Sequence, residues 1–426
     1  MVLIVVTFIL FLILGMPIAF TMGFPTLLYI LLYRPEWLAI VPNRIFTGMD
    51  VFVFLAIPFF IMAGEIMSEA KIADRIVRFV DSAVGHVRGG LAQVNVFDSM
   101  FFAGISGAAL ADIAALGSIV IPAMEKDGYP KKFSAALTAV TSIQGPIIPP
   151  SIIIVIYASI MGSSVGGLFA AGFIPGILLG LSDCVIVAVQ SKRRRFPKRE
   201  TPFSFKDLFV SLAKGLPALL LPAIILGGIL GGIFTPTEAG AVAVFYGLIL
   251  GFFFLRELDL PAFIRILKST IIKTCTLFLI VAFATIFSWV LAMENIPQLI
   301  GQYVFGWTDN KYLILFTMNI IFLFMGTWLE TTAALILMGP VFAPALLNLG
   351  IHPLHLGMVM IVNLTIGLIT PPFGVCLFAV SSLSGCKVED VSREALPFIL
   401  VNVGVLFLIT YFPPVVLFIP KLIGLL

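Results

Sequence analysis

Apolar stretches of about 14–25 residues follow one another from Met1 to Leu426, and this constrains the fold more than any other feature. Crossing the hydrocarbon core of a bilayer takes roughly 20 residues of helix. In lipid every backbone polar group must be satisfied internally, which leaves only helices or closed barrels. Stretches of this length are helical ones, so the chain is expected to be an all-α polytopic membrane protein whose solvent is the lipid bilayer. Composition agrees: 60% of the 426 residues are hydrophobic, 11% are charged and the mean hydropathy is +1.16, against roughly 25% charged in soluble domains. The 37 Gly and 27 Pro are scattered through the apolar runs. Many helices must therefore be interrupted, which a membrane tolerates only where freed backbone groups are buried in protein or line a cavity. That is the pattern of a carrier rather than an anchor.

Several function classes fall away. The net charge is +3 with the basic residues in loops, which predicts no nucleic-acid partner. Cys184, Cys275, Cys376 and Cys386 show no paired or metal-type spacing and read as packing residues. The opening MVLIVVTFILFLIL lacks a basic n-region and a small-residue cleavage site, so it reads as a retained span. There is no HExxH, GxSxG or GxxxxGK[ST], and the three histidines (His86, His352, His355) read as loop residues, so no enzyme is expected. Without an ATP motor, uptake must run on an ion gradient.

Internal self-similarity comes next. Adding 222 to a first-half position repeatedly lands on a matching residue: Phe102 and Gly104 on Phe324 and Gly326, Gly117 and Pro122 on Gly339 and Pro344, Gly128 on Gly350. Gly145, Pro149 and Pro150 map to Gly367, Pro371 and Pro372, and Pro175 to Pro397, all at that offset of 222. Gly and Pro set backbone geometry, so the shared pattern predicts a shared chain path. Loop 125–132 carries Lys126, Lys131 and Lys132, whereas its counterpart 347–354 carries no Lys or Arg. Arg75, Arg78 and Arg88 precede the first block, and 297–310 before the second has no basic side chain. Cytoplasmic loops are enriched in Lys and Arg, so equivalent loops are expected on opposite faces and the repeats inverted.

The same rule puts the basic run 192–199 in the cytoplasm. Five crossings per half are expected, at 2–15, 17–33, 50–68, 133–160 and 168–190, then 222–236, 239–255, 273–292, 356–380 and 395–419, with both termini periplasmic. Between the basic loops at 75–88 and 126–132 the chain leaves and returns to one face, a re-entrant hairpin with its tip near 102–112. Its second-half equivalent lies at 324–334. Each hairpin is followed by a span broken at its middle, SIQGPIIPPS (142–151) and LTIGLITPPFG (364–374), because two prolines and a nearby Gly cannot continue a regular helix. Amphipathic stretches at 71–87, 203–215 and 260–273 read as interfacial helices on the cytoplasmic surface.

Two hairpin tips and two breaks would bring helix ends to the bilayer midplane, where freed carbonyls bind cations and helix N-termini bind anions. In the first half the expected cation ligands are carbonyls around Ala103 to Ser106, the hydroxyls of Ser106 and Ser142, and carbonyls at Gly145, Ile148 and Pro150. In the second half they are Gly326, Thr327 and Thr331 with Gly367, Thr370 and Pro372. All-oxygen coordination suits Na+. Taken singly, each of these residues serves tight helix packing equally well. No Lys or Arg occurs at 89–125, at 133–191 or at 312–386, so an anionic substrate would be met by helix dipoles, hydroxyls, amides and bound cations, with Thr141, Gln144, Ser151, Asn363 and Thr365 as candidate substrate contacts. Interhelical hydrogen bonding is the alternative role for those five. Among carboxylates, Asp98, Asp112 and Glu330 fall in the hairpins and Glu65 and Glu238 near span ends; Asp112 and Glu330 are candidates for proton or cation sensing, or else caps.

FFAGISGAALAD, SIQGPIIPPS, TPTEAG (235–240) and LITPPFG together resemble the large membrane subunit of TRAP transporters, the tripartite ATP-independent periplasmic carriers, over essentially the whole chain. The resemblance implies sodium-coupled import in the bacterial inner membrane, together with a small four-helix membrane subunit and a periplasmic substrate-binding protein that captures an organic acid. Since the chain starts directly in the large subunit, the small one is expected as a separate chain. The resemblance further implies an elevator-type transporter, its transport parts 89–190 and 309–426 moving against scaffold parts 1–88 and 215–308, with 191–214 a cytoplasmic linker. It implies sodium sites at 103–106 with 142–150 and at 326–331 with 367–372. Sialic acid (N-acetylneuraminate) is the substrate it points to first. A self-sufficient sodium–carboxylate or anion symporter of similar architecture, and a channel or structural scaffold, are the rival readings.

Overall fold

The computed structural model describes residues 2–198, 203–306, 308 and 310–426, apart from the side chains of Val2 and Phe305; the end of the basic run at 199 and linker residues 200–202 lie outside this range. All regular structure among the described residues is helical. The first half runs α1 (Val2–Ile13), α2 (Ile18–Tyr33), α3 (Val41–Met49), α4 (Ala56–Glu69), α5 (Ile72–Val84), α6 (Gly90–Ser106), α7 (Ala109–Lys126), α8 (Lys131–Ser142), α9 (Ile152–Met161) and α10 (Val165–Arg193). The second runs α11 (Phe205–Leu230), α12 (Pro236–Ile249), α13 (Leu260–Met293), α14 (Ile296–Ile300), α15 (Lys311–Trp328), α16 (Thr331–Leu347), α17 (Pro353–Gly367), α18 (Val375–Ser384), α19 (Val388–Tyr411) and α20 (Pro413–Leu422). Shifted by 222, the bounds of α6, α7, α8 and α9 fall within one to three residues of those of α15, α16, α17 and α18. The glycines and prolines that match in sequence therefore do punctuate the chain at equivalent places. Gly128 and Gly350 both have positive φ, and both Pro149–Pro150 and Pro371–Pro372 are cis.

Seven helices among the described residues are long and apolar enough to cross a bilayer. One of them, Lys311–Trp328, is the helix expected to be the first arm of the second re-entrant hairpin. The expected first two spans are helices of 12 and 16 residues, about 18 and 24 Å at 1.5 Å per residue, short of a roughly 30 Å core. Two expected interfacial helices are instead the first turns of long ones. Residues 203–215 continue without a break into Phe205–Leu230, and 260–273 into the 34-residue α13, about 51 Å long. Basic residues, Lys206 and Lys214 in one and Arg265, Lys268 and Lys273 in the other, give these segments their amphipathic pattern without ending the helix. The expected boundary at 214/215 consequently falls inside a single helix, and the last expected span is divided at Phe412 into α19 and α20.

Helix starts follow local chemistry. TPTEAG is a capping box: Glu238 N donates to Thr235 Oγ1 (3.3 Å), Thr235 N donates to Glu238 Oε2 (2.8 Å), and Pro236 occupies the first helical position. Asp259 caps α13 through Ala262 N (2.7 Å). The core lies around α8 and α17. Every residue from Phe133 to Ser142 and from Leu354 to Gly367 is buried, so these helices are apolar or self-satisfied all round. The hairpins α6–α7 and α15–α16 and the helices α10 and α19 pack around that centre, while α2, α3, α4 and α12 gather on α13 and each other as a second group. The groups meet where α4 faces α6 and α9, and where α13 faces α16.

Candidate functional site

The tip of the first hairpin is made by Gly107, whose φ of +62° ends α6 in the left-handed conformation, its N–H returning to Ala103 O (3.2 Å). Ala108 then starts α7 without a side chain able to cap it. Ser106 fills that gap, accepting from Ala108 N (3.4 Å) and donating to Asp112 Oδ1. Asp112 Oδ2 is buried and has no partner. It lies against Gly145 of the first break, where an added Cβ would come 2.6 Å from it. Hairpin and break are thus joined backbone to backbone: a Cβ on Gly107 would meet Pro150 O at 3.1 Å. Inside the break, Ile148 N bonds Gln144 O (2.8 Å), and among the described residues the carbonyls of Gly145, Ile148 and Pro150 accept no hydrogen bond.

The second hairpin reproduces this with other side chains. Glu330 takes the cap position that Ala108 leaves bare, accepting from Thr332 N (2.9 Å), Ala333 N (3.2 Å) and Thr332 Oγ1 (2.9 Å). Gly326 and Gly367 touch so closely that a Cβ on Gly367 would lie 2.4–2.8 Å from the Gly326 backbone. Gly374 N closes the break onto Thr327 O (3.1 Å). Thr331 Oγ1 is buried without a partner, and the carbonyls of Gly326, Thr370 and Pro372 accept no hydrogen bond among the described residues. Gly367 O is taken by Thr370 N (3.0 Å) and Thr370 Oγ1 by Ile366 O (2.8 Å). Each tip with its break therefore carries oxygens without hydrogen-bond partners, the hard donors that a cation such as Na+ takes. Ser142 Oγ is turned back onto Ala139 O (2.8 Å), with Cys376 of the other repeat beside it.

A cavity of about 330 Å3 lies between both tips and the α4–α13 group. Glu330, Thr332, Leu110, Pro146 and Leu368 line it from the hairpins and breaks, and Lys273 and Thr276 from α13. A second, of about 530 Å3, follows the small-residue face of α7 past Ser106, Ala111 and Ser118 to Lys71 and Asp74, sharing Ile61, Ala108, Ile152 and Lys273 with the first. Lys273 is held by Glu65, and Glu257 hydrogen-bonds Lys71 (2.9 Å) and raises its pKa.

None of the five expected substrate contacts lines the 330 Å3 cavity. Thr141 joins Ser99 (2.9 Å) and Asn95 (3.2 Å) between α8 and α6, and its counterpart Asn363 joins Asn319 Oδ1 (2.9 Å) between α17 and α15. Thr365 bonds Ile361 O (2.6 Å), and Ser151 caps α9 while donating to Pro146 O (2.6 Å). Gln144 faces Asp183 instead. Interhelical hydrogen bonding, the alternative reading, describes Thr141 and Asn363, whereas Thr365 bonds within its own helix and Ser151 within the break. The sequence reading missed Lys273, whose basic helix seemed to lie on the surface, and Asp183, a lone carboxylate in an apolar span. Asp98 is buried in α6 about nine residues before the tip. Glu238 serves its capping box. His355 is no loop residue: it is buried in α17 with Nε2 on Ile409 O (2.8 Å).

The family profile of the DctM component of tripartite ATP-independent periplasmic transporters matches residues 5–415. The chain belongs to this family. It is one component of a TRAP transporter, a multi-pass membrane permease and not an enzyme. It is 38% identical to the sialic acid TRAP transporter large permease protein of Vibrio cholerae, over 96% of this chain and 95% of that one. Identity is also 38% to the C4-dicarboxylate TRAP transporter large permease protein of Pseudomonas aeruginosa, over 95% of this chain and 94% of the relative. Among solved structures, the YdaH transporter of Alcanivorax borkumensis superposes with a TM-score of 0.60 at 16% identity, covering 92% of this chain and 89% of its own, a likeness of fold.

Proposed function

We propose that this TRAP permease imports an organic acid across the bacterial inner membrane, coupled to sodium, with a separate small membrane subunit and a periplasmic binding protein that delivers the substrate. The supporting observation is the pair of hairpin tips seated on broken helices, each leaving oxygens without hydrogen-bond partners. In this reading Ser106, Gly145, Ile148 and Pro150 hold one Na+, and Gly326, Thr331, Thr370 and Pro372 a second. The acid enters the cavity between the tips, where Lys273 and Thr332 supply the polar contacts. N-acetylneuraminate, the acid the family resemblance points to first, is to be tried side by side with C4-dicarboxylates, since relatives named for both are equally similar to this chain.

The movement is of the elevator type, α6–α10 and α15–α19 sliding against the group around α13. Separation of the two helix groups supports this, as does the cavity that follows α7 to Lys71 and Asp74 at the start of α5, whose face the positive-inside rule makes cytoplasmic. Reconstituted into liposomes with both partners and loaded binding protein, the chain is expected to accumulate substrate only down a sodium gradient. Ser106→Ala and Thr331→Ala should each raise the sodium concentration for half-maximal uptake several-fold, as loss of one oxygen ligand implies. Uptake by this chain alone, or an unchanged sodium response in both variants, would sink the reading.

A further inference from the structure

Asp183 sits in the middle of α10, ten residues or about 15 Å from the basic helix end at Arg193. It is fully buried, and neither carboxylate oxygen has a hydrogen-bond partner. Its polar neighbours are the amides of Gln144, from the first break, and Asn402, from α19. Both ends of the Gln144 amide and the nitrogen of the Asn402 amide are likewise buried without partners, while Asn402 Oδ1 accepts from Ser182 Oγ (3.1 Å). Five buried polar atoms without a well-formed hydrogen bond therefore belong to three neighbouring side chains. The cluster is not part of the pseudo-symmetric hairpin sites, because at the offset of 222 Gln144 and Asp183 correspond to Ile366 and Val405, and Asn402 to Gly180.

No basic side chain neutralises this carboxylate. Helices α6, α9, α11, α17, α19 and α20 pack on α10. On α19, Glu394 is bound to Arg194 (2.6 Å) and Lys132 (3.6 Å) at the basic end, and Tyr411 bonds Tyr312 O. His355 of α17 holds Ile409 O, Tyr157 of α9 lies at Pro353 O, and Lys206, Asp207, Lys214 and Lys421 are exposed. Asp98 of α6 is itself acidic, and Cys184 follows Asp183 in the chain. A carboxylate at this depth is expensive unless it is balanced, and the three side chains carry four oxygens between them, the hard donors that a monovalent cation takes.

We propose that Asp183, Gln144 and Asn402 form a further monovalent-cation site, separate from the hairpin sites, whose occupant neutralises the carboxylate and ties the first break to α10 and α19. Na+ and H+ share the chemistry this site requires. The proposal takes from the proposed function only the premise that the chain binds cations. The test is equilibrium binding of radioactive sodium to the purified full chain, together with the pH profile of uptake in the reconstituted system, for wild type and Asp183→Asn. If Na+ is the occupant, the variant binds one ion fewer. If H+ is the occupant, the sodium count stays and the pH dependence of uptake flattens. An unchanged count together with an unchanged pH profile overturns the proposal and leaves a hydrogen-bonded packing cluster. Should Asp183→Asn not fold, Asn402→Leu keeps the carboxylate but removes a ligand. It should weaken sodium binding, or shift the pH profile, by about ten-fold, and no change in either overturns the site. Wild type that binds no sodium at all would sink the hairpin sites instead, so the two failures are distinguishable.

Discussion

Gly367 shows how much of this site is a matter of one missing atom. A methyl group there would press into the Gly326 backbone, which cannot swing aside as a side chain could. Gly367→Ala is therefore expected to destabilise the purified protein by about 1–3 kcal/mol, the ordinary range for overpacking, and to lower its melting temperature. Gly404→Ala is the control, since nothing lies within 4 Å of its added Cβ. Equal melting temperatures for the two variants would show that the second hairpin is not seated on its break as described. The same contact seats the end of α15 on the break, where Thr327 O accepts from Gly374 N (3.1 Å).

At the scale of elements, charge and function part company. Glu238 and Glu330 are both carboxylates near helix starts, and both cap backbone N–H groups, yet only Glu330 lines the cavity between the tips. Replacing an N-terminal capping partner costs about 1 kcal/mol. Glu238→Ala should lower thermal stability by that order and leave the sodium concentration for half-maximal uptake where it was; a shifted sodium response would place α12 in the coupling machinery. Continuity is the other lesson at this scale. α13 runs unbroken from its Asp259 cap to Met293, and so carries Lys273 past Glu65 to the edge of the cavity.

For the whole molecule, the arrangement in two helix groups makes a mechanical prediction. A Cβ on Gly64 of α4 would lie 3.4 Å from Ile105 O and 3.6 Å from Ser106 Cα. With the native cysteines replaced, Gly64→Cys combined with Ile105→Cys should form a disulfide that stops uptake, and reductant should restore it. Undiminished uptake in the cross-linked protein would exclude sliding of the first hairpin along α4. Orientation is tested apart from movement. Lys131→Cys and His352→Cys, both at exposed helix starts, should react with an impermeant thiol reagent from opposite faces; labelling of both from one face would refute the inversion.

The all-helical membrane fold, the two hairpin-and-break units and the register between them were legible from the chain alone. Lipid allows few backbone solutions, and the Gly and Pro at 107, 145, 149 and 150 and at 367, 371 and 372 dictate turns through local geometry. The free carbonyls of the breaks followed from the same local cause. Which polar side chains reach a cavity did not. Thr141, Asn363, Thr365 and Ser151 are polar residues in apolar surroundings, and the structure adds that the first two bond Asn95 and Asn319 on neighbouring helices while the others bond Ile361 O and Pro146 O close by in the chain. Lys273 looked superficial and Asp183 drew no notice, since depth and neighbours depend on elements more than a hundred residues away in sequence. Local backbone chemistry set the path of the chain, and long-range packing alone decided which side chains meet along it.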